Sequence, residues 1–100
     1  MKDFRTLNLA VSFYRSCRQL ALPFHLKDQL LRASSSIALN LSEGRGKITA
    51  KDQRRFFSIA MGSVRECQAI LLLADLDEQQ ELVRLLDHIA ASTYRLIQRA

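Results

Sequence analysis

Seven basic side chains are the residues of this chain with the clearest chemical use. Two lie three residues apart in the first fifth of the sequence, and five fall within one stretch of eleven residues near its middle. Guanidinium and ammonium groups at this density neutralise phosphates, so they indicate contact with nucleic acid. The alternative is a solvated or ion-paired surface. The predicted nucleic-acid-binding residues are Arg15, Arg18, Arg45, Lys47, Lys51, Arg54 and Arg55.

The residues typical of catalysis and of metal binding are too scattered to form a site. His25 and His88 belong to no HxxxH or ExxH pair, and no histidine lies near the serines 34–36 in sequence. The glycine-rich stretch 44–47 lacks the full pattern of a phosphate-binding loop and follows a predicted helix. The sequence therefore predicts no enzyme activity, no catalytic residue, no bound metal and no cofactor.

Positive charge is concentrated in the first two thirds of the chain. Residues 1–65 hold twelve Lys and Arg against four Asp and Glu, a balance of +8. Residues 66–100 hold three against six, a balance of −3. This asymmetry favours a polyanionic partner, which is either nucleic acid or an acidic protein.

Length and composition are typical of one soluble domain, residues 1–100. No apolar run reaches the roughly 18 residues that span a bilayer, and the first residues lack the apolar segment of a signal peptide. Cys17 and Cys67 are too few for a disulfide framework, and each falls on an apolar helical stripe. We therefore expect reduced core cysteines in a cytoplasmic protein with no membrane partner.

Apolar residues recur at helical spacing along nearly the whole chain, which predicts an all-α fold. The four predicted helices span residues 3–21, 26–43, 50–74 and 78–99. Pro23 ends the first helix, Gly44 is expected to cap the second in a left-handed conformation, and Thr49 begins the third. Asp77 with Gln80 predicts a capping box for the fourth. Short connections predict an antiparallel up-and-down four-helix bundle.

The second helix carries small and apolar residues on all of its sides. It carries no charged side chain from Ala33 to Ser42, and such a helix is expected to be buried on every side. The apolar arc of the first helix covers more than half of its circumference. Gly62 in the third helix costs roughly 1 kcal/mol relative to Ala, which predicts a close approach between helices. These features favour packing against further copies of the chain.

Two polar residues, Asn40 and Glu43, interrupt the apolar second helix. A buried carboxylate needs a cationic partner, and Arg32, Arg45 or Arg65 can supply one. We expect a polar network of Arg32, Asn40, Glu43 and Arg65 that fixes the bundle. The alternative is a polar ligand-binding pocket.

Two blocks, RASSSIALNLSEGRG at 32–46 and RRFFSIAMGSVRE at 54–66, resemble the signature blocks of a bacterial four-helix-bundle family. The family was first named for proteins encoded in intervening sequences of 23S ribosomal RNA genes. The matching residues of the first block are Arg32, Ala33, Ser36, Ile37, Asn40, Leu41, Glu43 and Gly44. Those of the second block are Phe57, Ile59, Ala60, Gly62, Ser63 and Glu66.

The resemblance implies a homopentameric ring, often with a positively charged central channel. Relatives include the accessory variability determinant of diversity-generating retroelements, which works with a reverse transcriptase and nucleic acid. It implies a non-catalytic scaffold that binds RNA or DNA, with a reverse transcriptase or a structured RNA as partner. The alternative is a structural or protein-interaction oligomer with an acidic protein partner and no nucleic-acid role. Many members carry a Gly where this chain has Asp75 or Asp77, so a differently capped hairpin is expected.

Overall fold

The structure, a computed structural model, describes residues 4–100 and contains four helices and no strand within that range. The all-α prediction is confirmed. The helices are α1 (Arg5–Arg18), α2 (Phe24–Arg45), α3 (Ala50–Leu73) and α4 (Gln80–Arg99). α1 ends three residues before its predicted end, and α2 extends two residues beyond its predicted bounds on each side. The predicted start of the first helix, residue 3, lies outside the described residues.

Pro23 separates α1 from α2 and also starts α2. It occupies the N-cap position, where its carbonyl accepts hydrogen bonds from the amides of Leu26 (3.1 Å) and Lys27 (2.9 Å). The Lys27 ammonium donates to the carbonyls of Arg18 (2.9 Å) and Leu20 (2.7 Å). A cation on the last carbonyls of a helix satisfies acceptors that have no partner within it. Lys27 therefore closes the turn between the two helices.

The two later helices begin differently. Thr49 is the N-cap of α3, and its hydroxyl accepts a hydrogen bond from the amide of Asp52 at 3.1 Å, which confirms the predicted start. The predicted capping box of Asp77 and Gln80 is wrong. α4 begins at Gln80 itself, and its N-cap, Gln79, makes no side-chain hydrogen bond to the helix.

Backbone geometry at the end of α3 explains this difference. Asp75 has a φ of 58°, and it is the only non-glycine residue with positive φ among the described residues. The amide of Leu76 donates to the carbonyl of Leu71 (2.8 Å), and that of Asp75 donates to Leu72 (3.1 Å). These two bonds define a Schellman motif, which usually places a glycine where this chain has Asp75. The resulting turn moves Asp77 away from the start of α4.

The helices form a four-helix bundle in which each helix has two neighbours. α1 lies against α2 and α4, and α3 lies against the same two helices. The largest fully buried apolar side chains are Phe13, Leu30, Ile37, Leu41, Val64, Leu86 and Ile89. Among the described residues, α3 alone is long and apolar enough to cross a membrane, with a mean hydropathy of 1.4. In the bundle, 39% of that apolar window is buried.

Gly44 is required for packing, and the prediction of a left-handed cap is wrong. The residue is buried inside α2, which continues to Arg45, and its φ is not positive. A Cβ added at Gly44 would lie 2.7 Å from Cε1 of Phe57, too close for any real contact. The absence of a side chain therefore lets the Phe57 ring of α3 lie directly on the α2 backbone.

The outward side of α2 and α3 is exposed within one chain, so its predicted burial stays a prediction of contact with a further copy. Leu39 of α2 is 69% exposed, so α2 is not buried on every side within one chain, and Ile59 of α3 is 42% exposed. No atom lies within 4 Å of a Cβ built on Gly62, so this glycine serves no close approach between helices of the same chain. We call Leu39, Ile59 and Gly62 the outer face.

Candidate nucleic-acid interface

One end of the bundle gathers most of the predicted cations. The Arg54 guanidinium donates to the carbonyl of Ala100 at 2.7 Å, which brings the start of α3 to the end of α4. The side-chain amide of Gln53 donates through Nε2 to the carbonyl of Lys47 at 2.9 Å. This bond holds the connection from α2 against the first turn of α3. We call this group the basic end. It comprises Arg45, Lys47, Lys51, Arg54, Arg55 and Arg99.

Aromatic rings hold three of these cations. The guanidinium carbon of Arg45 lies 4.6 Å from the centroid of the Phe4 ring. Lys47 Nζ lies 5.0 Å from the Phe56 centroid, and the guanidinium carbon of Arg55 lies 5.5 Å from it. Exposed cation–π contacts contribute roughly 0.5–1 kcal/mol each, enough to orient a side chain without neutralising its charge. The cations are therefore partly ordered before any ligand arrives.

Two carboxylates, Glu43 and Asp52, lie among the six cations of the basic end. Its only ion pair within the described residues joins Lys47 Nζ to Glu43 at 3.2 Å. From the sequence, cations at the start of α3 oppose the helix dipole. The bond from Arg54 to the Ala100 carbonyl partly offsets this cost, because it places a cation on the C-terminal end of α4.

Arg15 and Arg18 lie elsewhere. Both are exposed near the end of α1, whereas the start of α1 is next to the basic end through Phe4 and Arg45. Ten to fourteen residues of helix separate the two places, a distance of roughly 15–20 Å. The guanidinium of Arg18 lies 5.4 Å from the ring centroid of Tyr14. The structure therefore divides the seven predicted residues into a group of five and a separate pair.

Arg99 was missed by the sequence prediction. It lies about fifty residues from Arg45 in sequence, and the two side chains line one cavity at the basic end. The signal that points to Arg99 is its place in the last turn of α4. In a four-helix bundle with short connections, that turn lies beside the connection between the second and third helices.

Both cysteines are buried and free, as expected of core residues. Burial raises the pKa of Cys17 to about 12, and a hydrogen bond with Ser34 partly counteracts this rise. Burial also raises the pKa of Cys67, with smaller contributions from Cys17 and Glu66. Neutral thiols in such surroundings are poor nucleophiles and poor metal ligands. Within residues 4–100, no group of three His, Cys, Asp or Glu side chains is arranged to hold a metal.

The family model of the 23S rRNA-intervening sequence proteins matches residues 5–95. The chain belongs to this family. No curated protein and no solved structure matches it. The two blocks that resemble the intervening-sequence family lie on α2 and α3, and the structure shows what several of their residues do.

The two blocks of this intervening-sequence protein meet at a hydrogen-bonded pair of serines. Ser63 Oγ of α3 lies 3.0 Å from Ser36 Oγ of α2. Asn40 Nδ2 donates to both the carbonyl (2.9 Å) and the hydroxyl (3.0 Å) of Ser36, one turn earlier on the same helix. Gly44 then receives the ring of Phe57. Small residues at these positions allow α2 and α3 to approach closely.

The predicted network of Arg32, Asn40, Glu43 and Arg65 does not form. Arg32 pairs with Asp28 at 3.7 Å, Glu43 pairs with Lys47, and Arg65 donates to Gln68 at 2.9 Å. Each partner is three or four residues away on the same helix or just beyond its end, where side chains on one face meet. Arg32, Glu43 and Arg65 are all exposed, so no buried carboxylate requires a distant cation.

Proposed function

We propose that this protein is a non-catalytic, homo-oligomeric scaffold that binds RNA or DNA through its basic end. The observation that carries the proposal is the gathering of six cations from three helices and one connection, with a single ion pair among them. A reverse transcriptase or a structured RNA in the cytoplasm is the proposed partner.

Charge neutralisation supplies the mechanism. Each cation that meets a phosphate releases a condensed counterion, so affinity falls as salt rises. Nonspecific binding of this kind typically has a dissociation constant of about 10⁻⁴–10⁻⁶ M at physiological salt. The basic end presents no recognition helix for the major groove, so we expect weak preference among sequences.

Oligomerisation would bring several basic ends together. The proposed arrangement is an up-and-down bundle, supported by the contacts of α1 and α3 with the same two neighbours. The outer face is the proposed contact between copies, because Leu39 and Ile59 are exposed and lie three and four residues along their helices from the paired Ser36 and Ser63. A pentamer would raise the net charge from +5 to +25.

The basic end is tested with Lys51→Glu/Arg55→Glu. Neither side chain holds an ion pair among the described residues, and glutamate is favourable in the first turns of a helix. We expect more than tenfold weaker binding to a mixed RNA and DNA pool in fluorescence anisotropy, and a salt slope reduced by about two. The matched control, Arg15→Glu/Arg18→Glu, changes the net charge equally at the separate pair. Equal loss in both variants would contradict the proposed site.

The outer face is tested separately. Light scattering after size exclusion is expected to give a mass near five chains for the natural protein, and Leu39→Glu is expected to give monomers with unchanged helical content. A control substitution, Ser58→Glu, places the same charge on an exposed position of α3. A monomeric natural protein would overturn the oligomer proposal and leave the basic end testable.

One observation favours the alternative partner, an acidic protein. Ile48 is 97% exposed between Lys47 and Lys51, and an exposed apolar side chain among cations is typical of a protein contact. A polyglutamate peptide with the same number of charges as a single-stranded oligonucleotide distinguishes the two. Tighter binding of polyglutamate at equal salt would favour the protein partner.

A further inference from the structure

A cavity of about 170 Å³ opens at the basic end, between the start of α3 and the end of α4. Its position places it among cations that come from different helices. The residues that line it are Arg45, Gln53, Phe57, Leu96, Arg99 and Ala100.

The wall of the cavity is largely apolar. Phe57, Leu96 and Ala100 present carbon atoms, which a bare phosphate cannot use because it would lose water without gaining partners. This cavity is open to solvent, and its volume is close to the roughly 150 Å³ of a buried apolar cavity that accommodates benzene, so it has room to receive a flat ring from the surface. The shape and lining thus suit an aromatic ligand.

Polar groups at the cavity suit a ring that also carries hydrogen-bond donors. The Gln53 side chain is held in place because its Nε2 donates to the carbonyl of Lys47 at 2.9 Å. Its Oε1 has no hydrogen-bond partner among residues 4–100 and can accept from a ring N–H or an exocyclic amine. Nucleobases combine these donors with an apolar face.

The cations beside the cavity match the phosphates that flank a base. Arg45 is held over the Phe4 ring, and Arg99 forms no ion pair within the described part of the chain. A base in the cavity would have its own and the next phosphate within reach of these two guanidinium groups. In a duplex the base is paired and stacked, so only an unpaired nucleotide can enter.

We infer that this cavity binds the base of one unpaired nucleotide while Arg45 and Arg99 bind the adjoining phosphates. The inference rests on the proposed function and adds a preference for single strands, loops and strand ends over continuous duplex. Stacking and burial of one base typically change affinity by fivefold or more.

The experiment compares two strands of equal length and equal phosphate number, oligothymidylate and its abasic analogue. The natural protein is expected to bind oligothymidylate at least fivefold more tightly. Ala100→Trp is expected to fill the cavity and to remove this difference. Because the chain has no other tryptophan, the emission of that indole reports whether it is buried. Ala91→Trp places the same side chain on an exposed position of α4 and is expected to retain the preference.

The outcomes separate this inference from the proposed function. Equal affinity of the natural protein for both strands, with salt-dependent binding intact, would overturn the cavity and leave the basic end standing. A buried indole at position 100 that leaves the preference unchanged would also overturn it. Failure to bind either strand at low salt would overturn both proposals.

Discussion

The two ends of α3 lie among charged residues of opposite sign and are held in different ways. α3 begins at the basic end and finishes, after 24 residues and roughly 36 Å, at the connection to α4. That connection and the first turn of α4 form the acidic end, which comprises Asp75, Asp77, Glu78 and Glu81. Like charges are thus collected at both ends of a single helix.

Side chains hold the basic end, whereas backbone hydrogen bonds hold the acidic end. Thr49, Gln53 and Arg54 all bond backbone groups at the basic end. None of the four acidic side chains forms a hydrogen bond or ion pair within residues 4–100, and the turn depends on the amides of Asp75 and Leu76. Side-chain contacts order the cations of the basic end. The four carboxylates of the acidic end are exposed to solvent on a turn that backbone hydrogen bonds close.

The largest expected effect concerns the packing of the basic end. Gly44→Ala forces a Cβ into the Phe57 ring, and we expect a loss of about 2 kcal/mol in the free energy of unfolding after the gain in helix propensity. Urea denaturation measures it. The control is Gly46→Ala, whose Cβ would meet only the Glu43 carbonyl at 3.6 Å and the Ser42 carbonyl at 3.8 Å. Equal shifts for both variants would contradict the proposed role of Gly44.

The cysteines extend the comparison to pH, because both lie nearer the acidic end. An unfolded thiol ionises near pH 9, whereas buried Cys17 keeps its proton until its pKa of about 12. Unfolding therefore releases protons above pH 9, and stability falls by roughly 1 kcal/mol per pH unit for each thiol as pH rises. Below pH 9 this contribution is constant. Cys17→Ala/Cys67→Ala is expected to show a shallower alkaline decline in thermal melts, and an unchanged decline would contradict the assignment.

Helix caps provide a smaller and opposite pair of effects. Thr49→Ala removes the cap of α3 and is expected to cost about 1 kcal/mol. Gln79→Ser supplies a cap that α4 lacks and is expected to add about 0.5 kcal/mol. Melting temperatures of the two variants should move in opposite directions, and a decrease for Gln79→Ser would show that this position does not accept a cap.

The smallest effect concerns the left-handed residue of the acidic end. Asp75→Gly relieves the steric cost of a φ of 58° but increases the entropy of the unfolded chain, so a net gain of about 0.5 kcal/mol is expected. Asp75→Ala keeps the cost of a Cβ and removes the charge, so it serves as the control. A gain in Asp75→Ala as large as that in Asp75→Gly would assign the effect to charge.

The sequence sufficed for the helices, the family and the main group of cations. Apolar spacing identified the buried stripes that contain Ile37, Cys67 and Ile89, because helical periodicity is a local property. The five clustered cations came together because a short connection joins α2 to α3. To predict that Arg99 joins this group, one must know that the end of α4 lies beside the connection between α2 and α3.

The wrong predictions for Gly44 and for the Arg32–Glu43 network concern contacts between residues distant in sequence, whereas the one for Asp77 concerns a local turn. Gly44 has the same sequence signature whether it caps a helix or receives a ring, and only the position of Phe57 decides between them. Arg32 and Glu43 had nearer partners on their own helix than the network required. Asp77 lost its capping role because Asp75 turned the chain first.

The separation of charge also has a kinetic consequence. In a molecule 40 Å long, six cations lie at one tip, whereas carboxylates share the other tip with Arg15, Arg18 and Lys27. This uneven distribution gives an electric dipole along the long axis. The electric field of a polyanion exerts a torque on this dipole before contact. Productive collisions are therefore made with the basic end facing the polyanion. Added salt shortens the range of that torque to roughly 8 Å at physiological ionic strength, and it slows capture far more than escape.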